Sequence, residues 1–489
     1  MNKPKLKLET HYLLICAALA TGEALGFTYY NFAPTWPLIA LTALLAALLG
    51  HGLSLRFWHL PPIFLLGLTL ALATMQTRVT VLLDAAAETH RATFHHALPI
   101  ESDPTFRGKT TSSKRTFSFL TTYSNIALRV IAPLAATNAP PQLGETWDCA
   151  GWLDTRADPT DLRPRRLWIK GPNTFARRIA PAPTHSLRGT FSALRHNFSR
   201  RMGIGLEHSA PDIANLNRAI LLGERATLPK DIRDTFIRAG TMHVFAISGL
   251  HVMVVAQLLM VLLACCAIPV RFSGLLLVPL LWAYTYLIGM TPSAIRAASM
   301  ASIYFAAYIF MRRPNALIAW CLTFLIIHFF DPLLLLNVGS ELSFAVMLGI
   351  LLSLRFCRHF NFGRAESLIV TFAAWLAGTP LAAHVFGRIT PGGILANLIL
   401  IPTAAVSVIT SALGILTSFI STTLAAHINN AAALFTRAMV AISWSVSHTP
   451  GSNFETTKWT FSTCLIYYTL FLALPALLLY LRRHRRRVL

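Results

Sequence analysis

Apolar runs dominate the chain. Three of them, at about 12–30, 36–52 and 61–77, precede one long polar stretch, and beyond residue 240 the sequence is almost continuously apolar. A membrane span takes roughly 20 apolar residues. By that measure the downstream region divides into nine segments, at about 244–268, 273–290, 293–311, 315–330, 334–354, 366–387, 391–420, 428–449 and 461–481. The pattern predicts an α-helical polytopic membrane protein of about twelve spans. The polar stretch has a different period. "SNIALRVIAPL", "GETWDCAGWLDT" and "LRPRRLWIKGP" alternate over short runs broken by Gly, Pro and Asp, which reads as the strands of a small β-barrel. Between this stretch and the downstream spans, "ATLPKDIRDTFIRAG" predicts an amphipathic helix, with Pro229 at its start and Gly240 just past its end.

Composition agrees with a membrane chain: 54% of residues are hydrophobic and 13% charged, against roughly 25% charged in soluble domains. The net charge is +22, from 42 Lys+Arg against 20 Asp+Glu. Lys3, Lys5 and Lys7 favour a cytoplasmic start, which puts the polar stretch on the outer face after three spans. Arg271, "MRRP" at 311–314, "RFCRHFNFGR" at 355–364 and the tail "LRRHRRRVL" then all fall inside, so both termini are expected in the cytoplasm. The predicted organisation is a three-span region (1–84), an extracytoplasmic β-domain (85–190), an amphipathic connector (191–241) and a transmembrane domain (242–489). The seven cysteines form no CxxC pair, so neither a disulfide framework nor a metal site is expected. No P-loop occurs, so no ATP hydrolysis by that route is expected.

In the β-domain, Trp152 and Trp168 stand beside Arg163, Arg165, Arg166 and Lys170, with Arg177 and Arg178 following. Aromatic faces for bases with cations for phosphates is the chemistry of a single-strand-binding OB-fold, and a β-domain with solvated arginines fits equally well. Downstream, "HVFAISGLHV" places Ser248 and His251 on one helical face, with Gly249 allowing a close backbone approach. Helix–helix hydrogen bonding, hydrolysis with Ser248 as nucleophile, and the lining of a transport path all remain open there. "TPSAIRAASM" puts Arg296 in a span with Ser293 a turn before it, at a cost of roughly 2.5–3.5 kcal/mol for a central Arg. "LLNVGSELSFAV" adds Asn337, Glu341 and Ser343, and an ion pair between Glu341 and Arg296 is the expected way to keep both in the membrane. "WLAGTPLAAHVFGRITPGGILANLILIP" supplies Thr379, Pro380, His384, Asn397 and Pro402, and its Gly-Pro steps predict broken or re-entrant helices. Polar residues on several separate segments suit a path better than one catalytic pair.

The stretch "AILLGERATLPKDIRDTFIRAGTMHVFAISGLHV" resembles the hallmark of the ComEC-type competence proteins, and the later motifs follow in that family's order over about 219–402. The resemblance implies an inner-membrane channel passing single-stranded transforming DNA to the cytoplasm, with an OB-like domain receiving it. By motif position Gly223, Arg238, Gly240, His243, Ser248, Gly249 and His251 belong to the hallmark. Ser293, Arg296, Asn337, Glu341, Ser343, Thr379, Pro380, His384 and Asn397 carry over likewise. The implied partners are single-stranded DNA, membrane lipid, a periplasmic DNA receptor, a cytoplasmic helicase or other motor, and a separate nuclease. Many family members carry a metallo-β-lactamase-like domain. No H-x-H-x-D-H motif occurs here, so no nuclease activity, catalytic residue, metal or cofactor is expected. "GSELSF" also departs from the family's aromatic-Gln before "LSF". An intramembrane serine hydrolase and a small-molecule transporter with a β-domain lid are the competing readings.

Overall fold

The computed structural model describes residues 12, 15–20, 71 and 73, the strands between 94 and 180, and most of 187–471. The three predicted N-terminal spans, Arg163, Lys170 and the basic tail therefore lie almost wholly or wholly outside the described residues.

Among the described residues seven strands carry the polar stretch: β1 (Phe94–Pro99), β2 (Thr105–Arg107), β3 (Thr116–Tyr123), β4 (Ile126–Pro133), β5 (Thr146–Leu153), β6 (Arg165–Trp168) and β7 (Phe175–Ala180). Period-two alternation sends one face inward. Phe117 and Phe119 of β3, Leu128, Val130 and Ala132 of β4, and Trp147 and Cys149 of β5 form one buried core. The strands pair in the order β1-β5-β6-β4-β3-β2, with β7 on β5. β4 and β6 run parallel and the other pairs antiparallel. The two ends of this path, β1 and β2, are consecutive strands in the chain. Gly151 permits the tight β5–β6 step: a Cβ there would lie 2.6 Å from the Trp168 carbonyl oxygen.

Three connector helices follow, α1 (Leu187–Met202), α2 (Pro211–Leu222) and α3 (Lys230–Arg238). Then come α4 (Gly249–Cys265), α5 (Val270–Leu287), α6 (Pro292–Ile309), α7 (Ala316–Phe330), α8 (Val338–Phe360) and α9 (Glu366–Phe386). A two-residue strand β8 (Arg388–Ile389) leads to α10 (Gly392–Thr417) and α11 (Thr422–His448), and β9 (Phe454–Glu455) precedes α12 (Ser462–Phe471). Among the described residues three helices, within α8, α9 and α10, are long and apolar enough to cross a membrane, and α4, α7, α12 and most of α5 are shorter apolar helices. The outward side chains on these helices are themselves apolar, with Leu275, Leu395 and Leu470 each more than three-fifths exposed. That is a surface suited to lipid rather than water.

The region from Thr379 to Pro402 departs from expectation. Pro380 lies inside a continuous α9 and Pro402 inside a continuous α10, so neither proline breaks its helix. The interruption falls between them, at Gly387, whose left-handed φ of 61° ends α9 before the β8 strand. α8 and α9 meet through small residues. A Cβ on Gly349 would sit 2.7 Å from that of Ala377, and one on Gly378 3.2 Å from a Val346 methyl. Close backbone approach of this kind is how helices associate where no hydrophobic driving force separates them from lipid.

Candidate functional site

Three motif segments distant in sequence converge at one end of the helices. α3 ends in a left-handed turn at Gly240, φ 72°, where a Cβ would collide with the Thr390 side chain. Gly393 lies against the Ala239 and Gly240 carbonyls, and the Gly392 N–H donates to the Ser452 carbonyl at 3.0 Å. Trp375 Nε1 donates to the Thr390 carbonyl, and His384 Nδ1 meets the Trp459 carbonyl at 2.7 Å. His384 thus ties α9 to the segment before α12. Gly223 has a structural part as well, capping α2 with φ 74°. Arg238 and His243 are exposed at this end.

α4 begins at Gly249, later than the pattern predicts, and Ser248 stands before it as the N-cap. His251 Nδ1 lies 3.1 Å from Ser248 Oγ and accepts the Ser248 backbone N–H at 3.2 Å, a capping box in which histidine replaces the usual Glu or Gln. His251 is fully buried, and a Cβ added at Gly249 would stand 3.8 Å from the Ala297 methyl of α6. Asn337 is likewise a cap: its Oδ1 accepts the N–H groups of Gly339 and Ser340 at the start of α8.

Next to Ala297, Arg296 is 3% exposed. The expected ion pair with Glu341 is not made. Instead the guanidinium sits over the Phe344 ring of α8, 5.0 Å from its centre, with Nη2 3.5 Å from the Ser293 carbonyl. Nη1 has no hydrogen-bond partner among the described residues. Glu341 is buried on the same helix as Phe344, and Ser343 beside it is half-buried. Phe344 also carries His328 of α7, with ring centres 5.5 Å apart. His328 is fully buried and its Nδ1 meets the Phe324 carbonyl at 2.8 Å, while Nε2 has no partner among the described residues. The sequence hides this histidine inside an apolar run. Thr379 Oγ1 donates back to the Trp375 carbonyl within α9, and Asn397 Oδ1 is buried without a partner among the described residues.

A second polar set escapes the motifs. Asn429, Thr436 and Ser443 recur every seven residues on one face of α11, and all are buried. Asn429 Nδ2 donates to the Arg201 and Ile204 carbonyls, Thr436 Oγ1 donates to Asn217 Oδ1 and meets Ser407 Oγ, and Ser443 Oγ meets Thr241 Oγ1. Each bonds a different part of the connector. The seven-residue spacing was the available signal.

In the β-domain, Trp152 and Trp168 are paired residues of β5 and β6, and Arg165 and Arg166 lie on β6. Trp168 is exposed, as are Arg177 and Arg178. Arg178 is partly committed, since its Nη1 pairs with buried Glu145 at 3.1 Å, and Glu145 also takes the Trp147 indole N–H. Burial pushes the Cys149 thiol up to about 12.

Its apolar helices make the chain a polytopic membrane protein. It belongs to the competence protein family, whose match covers residues 220–482. ComE operon protein 3 of Bacillus subtilis is 28% identical over 192 residues, and an uncharacterized protein of Aquifex aeolicus is 32% identical over 204. These alignments take in 39% and 41% of this chain, but only 25% and 47% of the relatives' own lengths. No solved structure matches.

Proposed function

We propose that the chain conducts single-stranded DNA across the bacterial inner membrane during competence. Family membership supports the competence role. The observation that carries the step to a conducting path is Arg296, a buried cation whose Nη1 has no partner among the described residues. Intramembrane charge is retained where something passing needs it. A polyanion moving through a low-dielectric wall needs such groups, because unpaired phosphates there would be prohibitive.

The β-domain is the receiving module in this reading. Its β1 and β2, consecutive in the chain, pair with β5 and β3 at the two ends of the strand order, and β4 runs parallel to β6. These features support a closed, OB-like barrel. Positive-inside charge supports an outer position for this domain and the Gly240 end of the helices, with the termini in the cytoplasm. Energy comes from a partner motor or a gradient, and a separate protein degrades the second strand. The test is transformation frequency in cells carrying Arg296→Gln or His251→Ala, with membrane levels checked by blot. Normal protein with lost transformation supports the path, and unchanged transformation rejects it.

The Ser248–His251 contact at 3.1 Å supports a second reading, an intramembrane serine hydrolase. The cap accounts for the same geometry, since the same Nδ1 also takes the Ser248 backbone N–H. Labelling of Ser248 by a fluorophosphonate, abolished in Ser248→Ala, separates the two.

A further inference from the structure

The end of the helices where Gly240, Thr390 and Ser452 meet carries exposed groups that the packing leaves over. Trp444 is 56% exposed in the last turns of α11, and its ring lies 4.4 Å from that of His448, also exposed. Phe454 is 52% exposed in β9 and is the one exposed large apolar side chain between 449 and 460, a segment otherwise rich in threonine, glycine and charge. Lys458 is exposed nearby, its stem 3.8 Å from where a Gly387 Cβ would stand.

These residues are held together by backbone. The Thr456 N–H donates to the Gly387 carbonyl at 2.9 Å and β8 pairs with β9, which lays the 449–459 segment across the end of α9. Thr241 bonds Ser443 at 3.1 Å, next in sequence to Trp444, so the turn bearing Arg238 and His243 lies against the same stretch of α11. Arg388 is spoken for by its ion pair with Glu455, whereas Arg238 and Lys458 enter none among the described residues.

We infer that this end is a nucleic-acid-binding rim. Trp444 and Phe454 are the stacking platforms for bases, and Arg238 and Lys458 are the cations for the backbone phosphates. The inference rests on the proposed passage of single-stranded DNA and locates where the strand meets the helical domain. Flat rings beside cations are the combination that binds single strands without regard to sequence. Aromatic and basic residues also mark the headgroup level of membranes. An aromatic set among threonines, as Phe454 is, fits stacking better than insertion among lipid chains.

The experiment uses the full chain in phosphatidylcholine nanodiscs and a fluorescein-labelled oligothymidine, with anisotropy read over a salt series. Trp444→Ala and Phe454→Ala should each weaken binding at least about fivefold, and Trp444→Phe should keep most of it. Lys458→Gln should lower the slope of log affinity against log salt by about 0.7. Thermal melting of each variant checks that it is folded. Variants that bind like the parent chain overturn the rim and leave the DNA reading standing. A parent chain that does not bind the oligomer overturns both. Brominated lipid that quenches Trp444, measured as the difference from Trp444→Phe, with quenching unmoved by saturating oligomer, would make these aromatics a membrane belt and also overturn the rim.

Discussion

Arg296 offers the sharpest separation of function from stability. Replacing it with Met keeps a long, flexible side chain that can still contact Phe344, while removing the charge. Holding an Arg at the centre of a span costs roughly 2.5–3.5 kcal/mol, an upper bound for Arg296, which lies in the second turn of α6. The cation over Phe344, 5.0 Å from the ring centre, returns about 0.5–2 kcal/mol. The Met sulfur restores about 0.3–1.5 kcal/mol against the same ring. With no ion pair to Glu341 and an unused Nη1, little else is lost. Arg296→Met should therefore be as stable as the parent chain, or up to about 2 kcal/mol more so, in reversible unfolding from mixed micelles. DNA passage should fall to background, and Arg296→Lys should keep part of it. A Met variant destabilised by more than about 2 kcal/mol would show that the guanidinium holds the fold, and the reasoning would fail.

Thr436→Val strands Asn217 and Ser407, both buried, and should cost about 2–4 kcal/mol in the same unfolding assay. Adding Asn217→Leu should recover part of the loss, and simple additivity would contradict the network. Gly240→Ala forces a Cβ into left-handed backbone against Thr390 and should destabilise by at least about 1–2 kcal/mol. Thr390→Ala should relieve the collision and leave only the backbone part. For Cys149, burial pushes the folded thiol from its ordinary value of 9.0 up to about 12, so its contribution is fully present below pH 9 and lost as pH rises toward 12. Over that window stability should fall about 1.4 kcal/mol per pH unit more steeply than in Cys149→Ala, read by chemical denaturation of the full chain.

Much of the helical architecture was legible because a span declares itself by length and hydrophobicity alone. The expected starts at 366 and 391 fall within a residue of α9 and α10. The strands were legible because alternation marks a half-buried sheet, as in β3 and β4. Capping was not. Ser248 and Asn337 look like helix residues by spacing, but their side chains bond the first N–H groups of the helices behind them. The prolines misled for a related reason: a missing N–H at Pro380 or Pro402 is tolerated within a helix when neighbours pack around the gap. The Glu341–Arg296 pair failed because charge logic left out the Phe344 ring, over which the guanidinium sits. His328 and the Asn429–Thr436–Ser443 series were hidden because their significance lies in partners on other helices, and proximity across the bundle is not written in local pattern.

The central claim is passage of DNA through the inner membrane. The most direct test follows labelled transforming DNA in cells lacking the chain, complemented either by the parent sequence or by Arg296→Met at equal membrane level. The account predicts that label reaches the cytoplasm with the parent sequence and stops outside the inner membrane with the variant. Equal cytoplasmic label in both strains, or in cells without the chain, would contradict it.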